Sequence, residues 1–340
     1  MISSDVIKEK GPELLEIIKA SKKVLLHLHP RPDGDSIGSA LGMKHTLTEM
    51  GKEVTVIKGD SPLPAYLSHL PGFDTIVQKN IFEIDLSAFD LFLIQDSGSM
   101  DQISNLGPII FPPTLKTVCI DHHVSNTGYG QLNLVDSAFP AVCDLLVSLL
   151  VSWGITINTN AALCFMIGIF TDTGGFRYRG VTSRTFSNAA LLAEIAPDFS
   201  KILFAMDNSN TKEKFVYEGL AFSSIHTYVN GRVAISEVSY ADLQAKNIPR
   251  EATKAEVSNL LKSVVGWDIG VSAVEEAPGE IKFSMRTRDP EKLDLSVIAL
   301  ELGGGGHKGA AGIFMKDTTL REAVDKLVAV ITKLYGPVLL

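Results

Sequence analysis

Four short segments of the sequence concentrate side chains that can bind metal ions or move protons. They are HPRPDGDSIGS at residues 29–39, QDSGS at 95–99, DHH at 121–123 and FTDTGG at 170–175. Carboxylates with a few imidazoles suit Mn²⁺ or Mg²⁺, and no thiolate belongs to the set. Two such ions, roughly 3.5–4 Å apart, need a bridging carboxylate such as Asp96, and together they activate water and stabilise charge on a phosphoryl group. The segments therefore indicate a two-metal centre for phosphate chemistry.

Each segment taken alone has an ordinary structural explanation. Asp33 and Gly34 form a common turn pair, Asp121 could cap a helix, and Asp172 could cap the glycine-rich turn that follows it. All four segments, however, stand at the end of an apolar run. This shared position favours one common site over several unrelated turns.

The elements predicted around these segments would bring them to one edge of a sheet. Strand candidates lie at residues 23–29, 52–58, 90–95 and 117–120, and helix candidates lie at 37–50, 141–151 and 160–169. The alternation predicts βαβ units and a parallel sheet covered on both faces. His29, Asp96 and Asp121 each follow a strand candidate, at the carboxyl edge where such sheets bind ligands.

The second half of the chain has a different pattern. A helix-rich stretch over residues 185–224 precedes strand candidates at 232–238, 269–275 and 280–286 and helix candidates at 251–264, 295–302 and 319–334. This pattern predicts a smaller α+β domain. We predict a first domain at residues 1–185, a helical connector at 186–215 and a second domain at 216–340.

Composition restricts the class of protein. A formal net charge of −8 argues against binding to long duplex nucleic acid, because phosphate neutralisation supplies most of that affinity. No apolar run reaches the roughly 18–20 residues of a membrane span, and the N-terminus lacks a signal-peptide pattern, so we expect a cytoplasmic protein without a membrane partner. Cys119, Cys143 and Cys164 lie in apolar stretches and form no CxxC pair, which predicts buried free thiols.

The motifs resemble those of the DHH phosphoesterase superfamily. His29, Asp33 and Asp35 resemble its first motif, Asp96 its second, residues 121–123 its name motif and Asp172 its fourth. The segment GGGGHKGAAG at residues 303–312 resembles the signature of the DHHA1 domain. The runs TDTGGFRY at 171–178 and FSMRTR at 283–288 are similar to stand-alone DHH–DHHA1 proteins of the nanoRNase and pAp-phosphatase type. Arg31 departs from the pattern, which has Asn at this position.

The resemblance implies a fold and a set of metal ligands. The expected fold is a Rossmann-like parallel-sheet DHH domain followed by an α+β DHHA1 domain, with the active site in the cleft between them. One ion would be held by His29, Asp33 and Asp96, and a second by Asp35, Asp96, His122 and Asp172. Mn²⁺ is the expected metal, with Mg²⁺ or Co²⁺ as alternatives. Asp121 would orient a histidine, and His123 would face the scissile phosphate and protonate the leaving oxygen.

Further residues have two interpretations from the sequence alone. The four consecutive glycines could form a flexible linker or a backbone nest for an anion. The resemblance makes Arg286, Gly305, Gly306 and His307 the expected substrate-binding residues. Phe176 and Tyr178 could stack a base or could simply pack beside the site, and His27 is expected to lie in the core or to orient a ligand.

These implications predict a phosphodiesterase that hydrolyses short oligoribonucleotides, of about two to five nucleotides, to 5′-mononucleotides and that converts pAp to AMP. The alternative is a phosphodiesterase for cyclic or linear dinucleotides such as c-di-AMP or pApA, which the sequence does not separate from the first. A DHH-type pyrophosphatase, a RecJ-like exonuclease on long single strands and a catalytically silent nucleotide-binding module are disfavoured. The expected partners are short RNA or nucleotide substrates, and the oligomeric state stays open, with a homodimer as one possibility.

Overall fold

The apolar segments of the first half form a five-stranded parallel sheet. In this computed structural model, which describes residues 4–254 and 256–338, the strands are β1 (Lys23–His27), β2 (Glu53–Ile57), β3 (Leu91–Gln95), β4 (Lys116–Asp121) and β5 (Leu132–Val135). They lie in the order β2-β1-β3-β4-β5, and every neighbouring pair is parallel. Because the order reverses between β1 and β3, a ligand crevice is expected beyond the ends of these two strands.

Helices cover one face of this sheet. They are α1 (Asp5–Ala20), α2 (Gly34–Glu49), α3 (Val142–Ser152) and α4 (Thr159–Asp172). Their apolar residues share a buried cluster with Leu26, Leu93 and Ile120 of the strands. Cys119, Cys143 and Cys164 are buried free thiols, as predicted.

The other face is covered by irregular segments. Phe92 and Ile94 pack against Ile81, Ile103 and Leu115, which come from the connections on either side of β3. Within residues 58–115 these connections contain short 3₁₀ turns and no α-helix. The predicted βαβ arrangement therefore holds for β1-α2-β2, whereas the three later crossovers, to β3, β4 and β5, contain no α-helix.

Glycines allow α2 and α4 to pack closely. Gly34, Gly38 and Gly42 recur at every fourth position and so lie on one face of α2. A Cβ atom on Gly38 would lie 2.5 Å from the carbonyl oxygen of Cys164, and a Cβ atom on Gly168 would collide with Cys143. This close approach brings the end of α4, with Asp172, beside the start of α2, with Asp35.

Three more helices follow, α5 (Ser183–Ile195), α6 (Phe199–Asp207) and α7 (Lys212–Ser223). The chain divides between α6 and α7 into two compact units, Met1–Ser209 and Asn210–Leu340. Among the helices of the described residues, none combines the length and the apolar character that crossing a membrane requires.

The second unit contains a separate six-stranded mixed sheet. Its strands are β6 (Ile225–Tyr228), β7 (Val233–Val238), β8 (Ile269–Ala277), β9 (Glu280–Thr287), β10 (Gly305–His307) and β11 (Ala310–Met315). They lie in the order β10-β11-β9-β8-β7-β6, with only the β7–β8 pair parallel among these strands. Phe283, Met285 and Ile313 pack from one face of this sheet against Leu327 and its helix neighbours.

The helices of this unit are α8 (Tyr240–Ala245), α9 (Val257–Leu261), α10 (Leu295–Glu301) and α11 (Leu320–Tyr335). The helices predicted at 295–302 and 319–334 are confirmed. The single helix predicted at 251–264 is wrong, because that stretch holds a 3₁₀ segment, Arg250–Lys254, and the five-residue α9.

Candidate metal centre and a small-residue sheet face

The predicted ligands lie at the carboxyl edge of the parallel sheet. His29 and Asp96 follow β1 and β3, the two strands at which the strand order reverses. Asp33 caps α2, because its Oδ1 accepts hydrogen bonds of 3.0 Å from the backbone amides of Asp35 and Ser36. Asp96 has a φ of 51°, a left-handed conformation that a non-glycine residue rarely adopts and that is common at functional sites.

The carboxylate of Asp96 lies between two histidines. Its Oδ2 is 3.5 Å from His29 Nε2, and its Oδ1 is 3.6 Å from His122 Nε2. Asp33 Oδ2 lies 3.6 Å from His29 Nε2. Asp172 Oδ2 lies 3.5 Å from His122 Nε2. These separations are too long for good hydrogen bonds. They suit ligand atoms that share a cation, since atoms about 2.1 Å from one ion lie about 3–3.5 Å apart.

The structure thus brings together ligand-type side chains in three clusters that share residues. One is Asp96, Asp121, His122 and His123, and the other two correspond to the predicted ligand sets. Of these two ligand groups, one is His29, Asp33 and Asp96, and the other is Asp35, His122 and Asp172; within each group the ligand atoms lie within 4.8 Å of one another. Oxygen and imidazole donors without thiolate suit a hard divalent cation. Asp96 is the carboxylate that faces both groups.

Asp35 is held by the start of α3. It is 1% exposed, and its two oxygens accept hydrogen bonds from the backbone amides of Val142 (2.6 Å) and Cys143 (2.9 Å). These amides orient the carboxylate. Burial and the nearby Asp96 nevertheless raise the pKa of Asp35 to about 7.

The crowding of carboxylates disturbs the pKa values across the centre. Burial, together with Asp35 and Asp96, raises the pKa of Asp172 to about 9. Burial disfavours the protonated form of His122, but Asp96 and Asp35 outweigh it and raise the pKa of this histidine to about 10. The protein alone therefore does not supply enough positive charge for these carboxylates, and divalent cations would.

His123 is oriented by Asp121. Its Nδ1 lies 2.7 Å from Asp121 Oδ1, and the other oxygen of Asp121 accepts a 2.6 Å hydrogen bond from Asn126. The hydrogen bond to Asp121 raises the pKa of His123. Burial opposes ionisation of Asp121, but His123 and Asn126 outweigh it and hold the pKa of Asp121 below its usual range. His123 therefore keeps its Nε2 for another partner.

His27 lies outside the two ligand groups. It is 2% exposed, and its Nε2 lies 3.1 Å from Ser97 Oγ. Burial and the neighbouring His29 lower the pKa of His27 to about 3, so its ring is neutral. The expected packed position of this histidine is confirmed.

Arg184 of α5 is a supporting residue that sequence reasoning missed. The guanidinium carbon lies 3.5 Å above the ring of Phe139, and Nη2 donates a 2.7 Å hydrogen bond to the carbonyl oxygen of Ala138. The carbonyl oxygen of Phe139 lies 3.2 Å from His122 Nδ1. Such a partner fixes the ring so that Nε2 faces Asp96 and Asp172. No motif contains Arg184, and nothing in its sequence neighbourhood indicates this contact.

Two of the four consecutive glycines belong to a strand, so this part of the segment is not a flexible linker. Gly305–His307 is the edge strand β10, which pairs with β11. The register aligns Arg286, Ala310 and His307 across three strands, so their side chains share one face. Arg286 and His307 are two strand spacings apart, roughly 9.5 Å.

Several small residues lie around Arg286 and His307 on this face, which we call the small-residue face: Ser284, Ala310, Gly312, Gly305 and Gly270. A second cation, Lys262, lies at the border of this face, and sequence reasoning did not identify it. Lys262 follows α9, and its backbone lies so close to Gly270 that a Cβ atom there would lie 2.6 Å from the amide nitrogen of Lys262. Burial and the charge of Arg286 lower the pKa of Lys262, although Glu256 offsets part of this effect.

The two units match two domain families. Residues 23–169 match the model of the DHH family, N-terminal domain, and residues 230–335 match that of the DHHA1 domain. The first match contains the ligand-type side chains of the metal centre except Asp172, and the second contains the small-residue face.

Similar proteins extend over most of the chain. A protein of Thermus thermophilus, named bifunctional oligoribonuclease and PAP phosphatase NrnA, is 26% identical over 94% of this chain and 92% of its own length. A Bacillus subtilis protein of the same name is 26% identical over 88% of this chain and 91% of its own length. A solved structure of an exopolyphosphatase-related protein from Bacteroides fragilis shares the fold, with a TM-score of 0.89, 22% identity and 98% coverage of both chains.

Proposed function

We propose that this chain, which belongs to the DHH family and carries a C-terminal DHHA1 domain, is a two-metal phosphoesterase that hydrolyses very short oligoribonucleotides to 5′-mononucleotides. One observation carries the proposal: the Asp96 carboxylate turns one oxygen toward each of two ligand groups, as a bridging ligand would. The names of the Thermus and Bacillus relatives support the choice of substrate, and they add removal of the 3′-phosphate of pAp as a second reaction.

The proposed ligands are His29, Asp33 and Asp96 for one ion and Asp35, Asp96, His122 and Asp172 for the other. Mn²⁺ is the proposed metal, with Mg²⁺ or Co²⁺ as substitutes, since the donors are carboxylates and imidazoles. When bound, such ions lower the pKa of a water and neutralise charge on the phosphoryl oxygens.

The proton for the leaving group would come from His123. Asp121 binds Nδ1, so Nε2 is the atom available to a substrate. The hydrogen bond to Asp121 raises the pKa of His123, which favours the protonated ring that a general acid requires. As the bond between phosphorus and the leaving oxygen breaks, Nε2 would give its proton to that oxygen.

The small-residue face is the proposed binding site for a substrate phosphate. Arg286 and His307 stand on either side of Ala310, and Lys262 adds a second cation beside Arg286. Gly305 lacks a side chain that would obstruct this face. Gly305 and Gly306 both remain predicted substrate-binding residues. Arginine can clamp a phosphate through two parallel hydrogen bonds.

The test is a substrate series in the presence of Mn²⁺. It would contain 5′-labelled RNAs from the dimer to about a 24-mer, pAp and c-di-AMP, with rates measured for each. We expect the shortest RNAs to be degraded fastest, with release of phosphate from pAp. Much faster turnover of c-di-AMP or pApA would replace the proposed substrate by a dinucleotide messenger.

Two variants control this experiment. The double variant Asp121→Ala, His122→Ala should be inactive, because it loses a proposed ligand and the partner of His123. Asp101→Asn removes an exposed carboxylate five residues after Asp96 and should keep full activity. No cleavage by the wild-type protein with Mn²⁺ bound would overturn the proposal of a hydrolase.

A further inference from the structure

The turn that follows Asp172 has an unusual backbone. Gly174, Gly175 and Phe176 have φ values of 57°, 66° and 64°, so three successive residues are left-handed. For a bulky residue such as Phe176 this conformation is strained, and it persists only when the surroundings enforce it. Strain of this kind concentrates at functional sites.

Hydrogen bonds and aromatic packing fix this turn. The carbonyl oxygen of Thr173 accepts hydrogen bonds of 3.0 Å from the backbone amides of Arg177 and Tyr178. The hydroxyl of Thr173 accepts a third, also of 3.0 Å, from the backbone amide of Phe176. The Phe176 ring stacks on Phe186 with a centroid distance of 5.2 Å. Phe176 therefore has a packing role, whereas the next three residues, 177–179, are exposed.

The side chain of Tyr178 is half-exposed and does not belong to the core. Its ring lies against the backbone of Gly174, where any Cβ atom would collide with it, and 49% of the residue stays exposed. Its hydroxyl has no hydrogen-bond partner within the described chain. One side of a rigidly held aromatic ring thus rests on a glycine, and the remainder is open to a ligand.

Two arginines flank Tyr178 in the sequence. Arg177 donates a 2.6 Å hydrogen bond from Nε to the carbonyl oxygen of Gly174, and both Arg177 and Arg179 are exposed. In the described residues, arginine forms ion pairs with carboxylates at three other positions, 232, 250 and 321. The arginines at 177 and 179 are therefore available to an anion.

We infer that Tyr178 is a stacking surface for one base of the substrate, with Arg177 and Arg179 beside it to contact a phosphate. The inference rests on the proposed function, and it identifies a binding element for a nucleoside in the segment that follows the metal centre, four residues beyond Gly174 and six beyond Asp172. Stacking on an aromatic ring tolerates any base, because every base has a π-face. The site therefore selects for a nucleoside and not for a particular base.

The first test separates stacking from general damage. In Tyr178→Leu we expect KM for a diadenylate to rise by about 5- to 150-fold, the effect of losing one stacked base, with little change in kcat. Tyr178→Phe should behave as wild type, because the hydroxyl has no partner to lose. Phe82→Leu, at a residue of matched exposure (48%), should leave KM unchanged.

Base-free substrates identify the nucleoside that is bound. Two diadenylate analogues, each lacking one of the two bases, would be compared in wild type and Tyr178→Leu. We expect the variant to lose its KM defect with one analogue and to keep it with the other. An unchanged KM for the intact dimer, or an equal defect with both analogues, would overturn the inference.

A binding measurement tests the stack without turnover. Tyr178→Trp adds a fluorophore to a chain with two tryptophans, and AMP should quench the added emission whereas ribose 5-phosphate should not. Equal quenching by both compounds, or by neither, would refute stacking. If the wild type cleaves no RNA, the proposed function fails, while this quenching still decides the role of Tyr178.

Discussion

The metal centre and the small-residue face use charge in opposite ways. The centre gathers carboxylates from four distant segments and buries most of them, so that Asp35 and Asp172 have raised pKa values. The small-residue face instead carries partly exposed cations, Arg286 on β9 and Lys262 after α9. The difference follows from their proposed ligands: small cations need closely spaced, dehydrated donors, whereas a substrate phosphate must enter and leave.

The largest effect is expected for Asp172→Asn. Weaker metal binding should cost several kcal/mol of transition-state stabilisation, or about a 10³-fold drop in kcat/KM with Mn²⁺. The same change should stabilise the metal-free protein, because it removes a buried charge from a crowded site. Activity assays and thermal unfolding with a chelator would measure the two effects.

The pH dependence of that stabilisation has a definite sign. The folded-state pKa of Asp172 is about 9, above the ordinary value of the unfolded chain. Ionisation of Asp172 therefore penalises the folded state increasingly as pH rises from about 4 to about 9. The gain in Tm of Asp172→Asn should grow over this window, and a gain that is constant or absent would contradict the crowding argument.

The position of the candidate ligands at one edge of the parallel sheet was the most predictable feature of the molecule. His29, Asp96 and Asp121 each end or follow a buried strand, and parallel strands deliver their carboxyl ends to one edge. The strand and helix candidates of the first half all correspond to observed elements. The apolar periodicity was sufficient to predict these elements, because the apolar residues of each one pack into a large core.

The supporting contacts were not predictable in this way. Arg184 and Lys262 act on residues distant in sequence, and each looks like an ordinary surface cation. The short edge strands β6 and β10 were missed because neither contains a buried residue that would give an apolar periodicity. β5 was missed because four residues are too few to show one. The 3₁₀ turns that cover one face of the parallel sheet lack a pattern for the same reason.

Two glycine substitutions, one in each unit, compare a crowded position beside the metal centre with an open position in a helix. Gly168→Ala should cost about 1–3 kcal/mol of unfolding free energy, since the new methyl group meets Cys143 and lies 2.9 Å from Asp35 Oδ1. Gly219→Ala in α7, with open space around it, should instead stabilise by about 0.5–1 kcal/mol. Urea unfolding would measure both, and equal values would show that α2 and α4 are less closely packed than described.

Arg184→Ala should weaken metal binding by about 10- to 100-fold, the usual effect of removing a group that orients a ligand. Arg184→Lys should recover only part of this, because lysine keeps the charge but not the planar contact with Phe139. Mn²⁺ titration by calorimetry would measure it. Arg288→Ala is the matched control, since Arg288 also donates to a backbone carbonyl, that of Val264. A loss of stability without a loss of Mn²⁺ affinity would make Arg184 a structural residue alone.

The smallest effect is expected on the small-residue face. Arg286→Gln and Lys262→Gln should each raise KM for a 5′-phosphorylated RNA dimer by up to about fivefold, because partly exposed charges contribute about 1 kcal/mol or less. Lys282→Gln, on the same strand as Arg286, is the control, since Lys282 already pairs with Glu276 at 3.2 Å. If both cations contact one phosphate, the double variant should lose less than the product of the two effects, and a dimer without the 5′-phosphate should lose nothing. Equal losses with and without that phosphate would mean that this face does not bind it.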